Sequence, residues 1–414
     1  MIELNRAVLD NGLRIVHSRD DITAMVAVSV IYDVGSRDEN PELTGMAHLF
    51  EHLMFGGSVN VDKFDKALQN AGGINNAWTS ADFTNFYDVL PAQNIETAFW
   101  LESDRMLSLS FSDKALDVQR NVVTEEFKQT HLNKPYGDMR HHLMPLHYTV
   151  HPYRTPTIGK DISHIERVTQ ADVKDWFFSH YAPNNAVLSV AGNVDFATVV
   201  RLAEKWFGPI PRRDIKPRNL PQEPIQTAPR RKVVEGKVPQ TMIVKTFPMA
   251  AFGKHGYVEC DIITDLLAFG KSSRFFRNLV VGSDLFTDAD ASITGTIDPG
   301  MLILNARITD SSDDAIARAE QMLVDEAARI FKEPESLTPR ELETSINRFE
   351  STMTFGLMSY QQKAIQLAVY ELQGADINSI VDVYRSVTAD DIRKTAEEIF
   401  NLSRCNTLIY NPLQ

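Results

Sequence analysis

Two histidines four residues apart, with a glutamate between them, make the strongest chemical signal in the chain: His48-Leu49-Phe50-Glu51-His52. On a helix, side chains at i and i+4 share a face about one turn apart, so both imidazoles can reach a single ion. The spacing of Met46, Leu49 and Leu53 suits a helix with one buried side. Glu51 stands next to the histidine face, where a carboxylate can take the proton of a metal-bound water. The order H-x-x-E-H is the inverse of the better-known zinc-peptidase helix. Catalytic zinc normally has three protein ligands and one open position, so a third donor is expected from elsewhere, and Val122-Val-Thr-Glu-Glu126 is the best source. Leu49, Leu53 and Phe55 are expected in the core rather than against substrate. His141, His142, His147 and His151 cluster in sequence but match no compact ligand set, and they are expected at surface and loop positions.

The elements that must position these residues occur twice. Residues 211–232, PRRDIKPRNLPQEPIQTAPRRK, are rich in proline and charge and lie near the midpoint, so they read as an interdomain linker. On either side the same features recur in the same order. His48-Leu-Phe-Glu-His-Leu-Met-Phe-Gly-Gly-Ser58 lines up with Ile262-Ile-Thr-Asp-Leu-Leu-Ala-Phe-Gly-Lys-Ser272. Ser112-Asp-Lys-Ala-Leu116 lines up with Thr338-Pro-Arg-Glu-Leu342, and Val168-Thr-Gln-Ala-Asp-Val-Lys174 with Val387-Thr-Ala-Asp-Asp-Ile-Arg393; these four read as helix starts. Three pairs in order, at offsets of about 214 to 226 residues, point to duplication of a domain of about 200 residues. The second copy carries Ile262 and Leu266 where the first has His48 and His52, so the scaffold itself does not need histidine there. Strands are expected over Met25–Ile31, Ala186–Ala191, Thr241–Thr246 and Met301–Ala306, with a helix over about Asp313–Lys332. The expected fold class is α+β, as two homologous domains: residues 1–210 bearing the zinc motif, a linker over 211–232, and residues 233–414 without the motif.

Bulk properties narrow the partners. A chain of 414 residues, 43% hydrophobic, is long enough for two cores. A formal net charge of -13 argues against nucleic acid and anionic membrane, whose partners usually carry a basic stripe. Cys260 and Cys405 are the only cysteines, which excludes a disulfide framework and a cysteine zinc site. With no secretory leader at Met1 and no apolar run of membrane-spanning length, the chain is expected in the cytoplasm. A leader removed beforehand would place it instead in a periplasm or organelle.

At these residues the sequence resembles the M16 metallopeptidases, the family of pitrilysin, insulin-degrading enzyme and the mitochondrial processing peptidase. The likeness includes Asn11-Gly-Leu-Arg-Ile-Val16, the His48 to His52 motif with Phe55-Gly-Gly-Ser58, Asn76-Ala-Trp-Thr-Ser80, Thr84-Asn-Phe-Tyr87, His151-Pro-Tyr153, Pro156-Thr-Ile-Gly159 and Tyr181-Ala-Pro-Asn-Asn185. The resemblance implies two homologous α+β domains and pairing with a second such chain around a closed chamber. It also implies Glu126 as the third zinc ligand, because Gln119-Arg-Asn-Val-Val-Thr-Glu-Glu126 follows the family's E-R-x-V-x-x-x-E after its first residue; Glu125 is the runner-up. Gln119 stands where relatives usually have Glu. The backbone of Asn76, Ala77, Trp78 and Thr79 is implied to pair with an extended peptide substrate. An Arg and a Tyr that relatives carry after their S-S-R segment are replaced by Val280 and Thr287. The implied function is a zinc-dependent endopeptidase or oligopeptidase with Zn2+ as cofactor and Glu51 as base, the catalytic subunit of a dimer. Its partner is a related subunit lacking zinc, or a second copy of this chain with Arg274 or Arg277 holding substrate. The alternative is a non-catalytic structural or assembly subunit of the same fold, against which the intact His48, Glu51, His52 and Glu126 set speaks.

Overall fold

The structure is a computed structural model and describes residues 2–413. In chain order the strands are β1 (Asn5–Val8), β2 (Arg14–Arg19), β3 (Met25–Tyr32), β4 (Ile74–Thr79), β5 (Thr84–Pro91), β6 (Ala186–Gly192), β7 (Arg230–Gly236), β8 (Thr241–Met249), β9 (Phe286–Ile293), β10 (Gly300–Ile308) and β11 (Asn406–Pro412). The helices are α1 (Met46–Leu53), α2 (Phe64–Asn70), α3 (Ile95–Leu107), α4 (Asp113–Phe127), α5 (Met139–His147), α6 (Ile162–Glu166), α7 (Gln170–His180) and α8 (Phe196–Trp206) in the first half of the sequence. They continue as α9 (Tyr257–Ala268), α10 (Asp313–Lys332), α11 (Pro339–Met358), α12 (Tyr360–Gln373), α13 (Ile380–Ser386) and α14 (Ala389–Ile399). The four expected strands fall within β3, β6, β8 and β10, and the expected long helix is α10. No helix among the described residues is long and apolar enough to cross a membrane.

The elements build two α+β units, each around its own sheet. The first sheet has six strands in the order β1-β2-β6-β3-β5-β4, and the second five in the order β7-β11-β8-β10-β9. β4 and β9 are therefore edge strands. Several helix starts follow from local chemistry: Ser112 Oγ accepts the Ala115 N–H, and Thr169 with Asp172 and Thr388 with Asp391 form reciprocal capping boxes. Two of the repeat pairs thus mark true helix starts.

Packing divides the chain differently from a single cut at the linker. One unit comprises residues 1–129, 155–220 and 353–378; the other comprises 130–154, 221–352 and 379–414. Each half of the sequence thereby lends a helix to the other half's sheet: α12 packs on β3 and β6, and α5 on β7 and β11. The physical reason is visible on β3 and β6. Every residue of β6 and nearly every residue of β3 is buried, so both faces of these central strands need cover. On the face toward α12 the strands present small side chains, Ala27 and Ala191, against Ala364, which lets the helix come close. Residues 211–229 have no regular secondary structure, as their composition suggests, but they are not loose. In the first unit Arg218 binds Asp33 at 2.8 Å and Asp38 at 2.6 Å; in the second, Glu223 accepts the N–H groups of Thr149, Val150 and His151.

Candidate metal centre and peptide cleft

α1 buries Met46, Leu49, Phe50 and Leu53 and turns His48 and His52 the other way, as the i, i+4 spacing requires. α4 packs across α1, with Leu116, Val123 and Phe127 on its buried side. Glu126 is thereby set opposite both rings: His48 Nε2 lies 3.7 Å from Glu126 Oε1, and His52 Nε2 lies 3.4 Å from Glu126 Oε2. Among the described residues, His48, His52 and Glu126 are the group whose ligand atoms converge within 4.8 Å of one another. Glu125, one residue earlier, is exposed and pairs with Lys128 at 2.7 Å. Donors at bond lengths of about 2.0–2.2 Å around a tetrahedral ion stand roughly 3.4 Å apart, so two nitrogens and a carboxylate at these separations fit a zinc ion. They are too far apart for ordinary N–H···O hydrogen bonds.

Glu51 points from the same helix toward β4. Its Oε2 accepts a hydrogen bond of 2.5 Å from Thr79 Oγ1. Burial pushes the Glu51 carboxyl above the usual carboxylate range, and Glu126 adds to that; Thr79 and His52 pull in the opposite direction. The side chain of Thr79 therefore has a task that sequence reading missed, having considered only its backbone. Asn76, Ala77, Trp78 and Thr79 all lie in β4, whose one neighbour is β5. Thr84 to Tyr87, by contrast, belong to the inner strand β5.

A cleft of about 310 Å³ opens beside this group, lined by Glu51, His52, Phe55, Asn76, Ala77 and Gln119 among others. Gln119 thus lines the same cleft as Glu51 and His52. Phe55, expected wholly in the core, packs against the core but also forms cleft wall. Behind it the Arg105 guanidinium, almost fully buried, lies over the rings of Phe55, Phe64 and Phe86 at 5.1, 4.5 and 4.3 Å and is paired with Glu102. Larger clefts, up to about 560 Å³, lie in the second unit, and chemistry rather than size singles out the one beside Glu51.

Two sequence expectations need correction. His147 and His151 are buried, not at surface positions: His147 Nδ1 lies 2.8 Å from Thr246 Oγ1, and His151 Nε2 lies 3.4 Å from Asp298. Their spacing looked aimless because their partners come from distant strands and loops. Arg274, suggested as a substrate contact, is buried in the second unit and committed to the Ser336 carbonyl at 2.8 Å and to Glu341 at 3.3 Å. Arg277 is half-exposed. Val280 ends a single π-helical turn, and the Thr287 hydroxyl, on β9, bonds Gln240.

Comparison with known proteins finds two family models along the chain. Residues 14–160 match the family model described as insulinase (peptidase family M16), and residues 167–349 match the one described as the peptidase M16 inactive domain. Zinc protease PqqE of Helicobacter pylori is 28% identical, covering 98% of this chain and 92% of its own. The beta subunit of the mitochondrial-processing peptidase of Saccharomyces cerevisiae is 30% identical over 57% of this chain and 52% of its own. The crystal structure of a protease from Helicobacter pylori superposes with a TM-score of 0.93 at 26% identity, covering 100% of both chains.

Proposed function

The chain belongs to peptidase family M16, and from that membership together with the geometry of its cleft we propose that it is a zinc-dependent endopeptidase or oligopeptidase acting on extended peptides. The observation that carries this reading is the convergence of His48, His52 and Glu126 beside a half-buried base, Glu51, at the foot of an edge strand. The relatives' name of zinc protease supports it.

A zinc ion held by His48, His52 and Glu126 would supply Lewis acidity, polarising the scissile carbonyl and lowering the pKa of water from 15.7 toward about 7. Glu51 takes the proton of the attacking water and passes it to the leaving nitrogen. Thr79 Oγ1 holds one oxygen of Glu51, whose side chain lines the cleft. The free edge of β4 offers backbone N–H and C=O groups to an extended peptide, which would bind as an added strand with loose side-chain preference. Metal analysis tests the assignment. About one zinc per chain is expected, lost in His48→Ala and His52→Ala and retained in Glu51→Gln, which should lose turnover; full zinc binding by His52→Ala would defeat it.

The active form in this reading is a dimer. Val280 and Thr287 supply neither a guanidinium nor a phenol, Arg274 is committed elsewhere, and loss of one oxyanion donor typically costs about 10²–10³ in rate. A related subunit without zinc would supply the missing donors, and a second copy using Arg277 is the other arrangement. A relative is itself named as a subunit. Assay of the zinc-loaded chain with and without its co-purifying partner decides this: strong turnover alone, with no gain from the partner, removes the heterodimer. The cytoplasmic placement belongs to the same proposal and rests on Cys260 and Cys405, both buried free thiols.

A further inference from the structure

The start of α1 is tightly specified. Gly45, at φ 89°, precedes Met46, and a Cβ there would come within 2.4 Å of Ile165 Cδ1 and 2.7 Å of the Ile158 carbonyl oxygen. The N–H groups of a first helical turn have no acceptor within the helix. At α1, one carboxylate from outside the helix takes two of them: Glu39 Oε2 accepts from Gly45 N at 2.8 Å, and Glu39 Oε1 from Ala47 N at 2.8 Å. Glu39 is buried, 8% exposed.

The second unit meets the same need locally. α9 also begins after a left-handed glycine, Gly256 at φ 91°, and Glu259, its third residue, folds back so that Oε2 accepts the Gly256 N–H at 3.0 Å. The third residue of α1 is His48, whose ring faces Glu126. A side chain turned to the metal cannot also cap its own helix. The carboxylate comes instead from six residues before Gly45.

We propose that Glu39 is a positioning residue of the metal centre, clamping the first turn of α1 through Gly45 and Ala47 and so aiming His48 at the ion. The proposal rests on the reading of His48 as a zinc ligand. Both carboxyl oxygens of Glu39 are taken up by backbone N–H groups on either side of Met46, so the clamp holds the turn in one geometry; burial pushes that carboxyl up to about 8, and the two N–H groups pull it back. Groups that orient a metal ligand typically cost about 10–100-fold in metal affinity when removed.

The test is Glu39→Gln in the full chain, because the amide keeps one acceptor and turns a donor toward a backbone N–H. The readouts are zinc Kd by competition with a chromogenic chelator and the visible spectrum of the cobalt-substituted protein, measured well below the melting temperature. A Kd weakened roughly tenfold or more, with a shifted cobalt band, is expected. Glu259→Gln, which removes the corresponding cap from α9, should lower the melting temperature and leave both readouts native. Native Kd and spectrum in Glu39→Gln overturn the proposal while leaving the zinc assignment standing. Failure of the unaltered protein to bind zinc, with His52→Ala no different, overturns the assignment itself. If Glu39→Gln does not fold, Glu39→Asp, whose shorter carboxylate cannot reach both N–H groups, is expected to shift the cobalt band, and a native spectrum and Kd there overturn the clamp.

Discussion

The two units set a helix beside an edge strand in the same way, α1 with β4 and α9 with β9, yet only one of them gathers reactive groups. Aligned on Phe55-Gly56 and Phe269-Gly270, α9 begins three residues earlier than α1, and His48, Glu51 and His52 correspond to Ile262, Asp265 and Leu266. Ile262 and Leu266 are 2% and 5% exposed. Asp265, at the place of the base, lies 3.0 Å from Arg348 of α11. By the spacing of Leu116 and Leu342, Thr352 stands where Glu126 does. Burying an Ile or Leu contributes about 1.5–3 kcal/mol, so the first unit forgoes that contribution at two positions to keep imidazoles facing a cleft. The second unit keeps the packing and has neither the two imidazoles, nor a carboxylate at Thr352, nor an acid free of an ion pair at Asp265. The fold is indifferent to the site, and the site is an addition that the fold tolerates.

The largest effect should come from the group with no counterpart role in the second unit. Glu51→Gln should lower kcat by about 10²–10⁴ while zinc content, read by metal analysis, stays at one per chain. Comparable turnover would mean that the base lies elsewhere. Reversing the comparison is nearly as severe. Ile262→His with Leu266→His should bind no additional zinc, because Thr352 offers no carboxylate, and should destabilise the chain by about 2–5 kcal/mol in denaturant unfolding. Tight metal uptake by that variant would show that two imidazoles on this scaffold suffice.

A buried histidine of the second unit gives the comparison a pH dependence. Burial, helped by Arg230, pushes His147 down to about 4. A neutral buried imidazole contributes fully above its unfolded value near 6.5, and that contribution is lost as pH falls toward 4, because the unfolded chain binds the proton more readily. Unfolding free energy should therefore drop by about 2 kcal/mol between pH 6.5 and 5 on this account. His147→Gln, which keeps hydrogen-bonding groups but does not titrate, should flatten that slope; an unchanged slope would assign it to other groups.

Thr79→Val removes the hydroxyl that steadies Glu51 and should cost about tenfold in kcat with little change in KM, the size of one hydrogen bond to a charged group. Because that bond favours the ionised carboxylate, its loss should also move the acidic limb of the pH–rate profile to higher pH. A profile that stays in place, or a loss confined to KM, would give Thr79 a role in substrate binding alone.

Rules that act within one turn of helix or along one strand were readable from the residues alone. The i, i+4 histidines, the boxes at Thr169 and Thr388, the strands β3, β6, β8 and β10, and the duplication all follow from spacing and side-chain type, which the chain carries wherever it folds. Choices between near-equivalent residues, or between partners far apart in sequence, were settled by packing. Glu125 and Glu126 differ by about 100° around one helix, and the docking of α4 on α1 turns Glu126 to the rings and Glu125 to Lys128. Thr79 reaches Glu51 across 28 residues of sequence, and Glu39 reaches the start of α1 from within an irregular loop. The exchange of α5 and α12, the burial of His147 and the anchoring of residues 211–229 by Arg218 and Glu223 are of the same kind. Composition reports whether a segment can form regular backbone hydrogen bonds, but not which distant surface has room and charge to receive its side chains; that is decided when the sheets and helices close over one another.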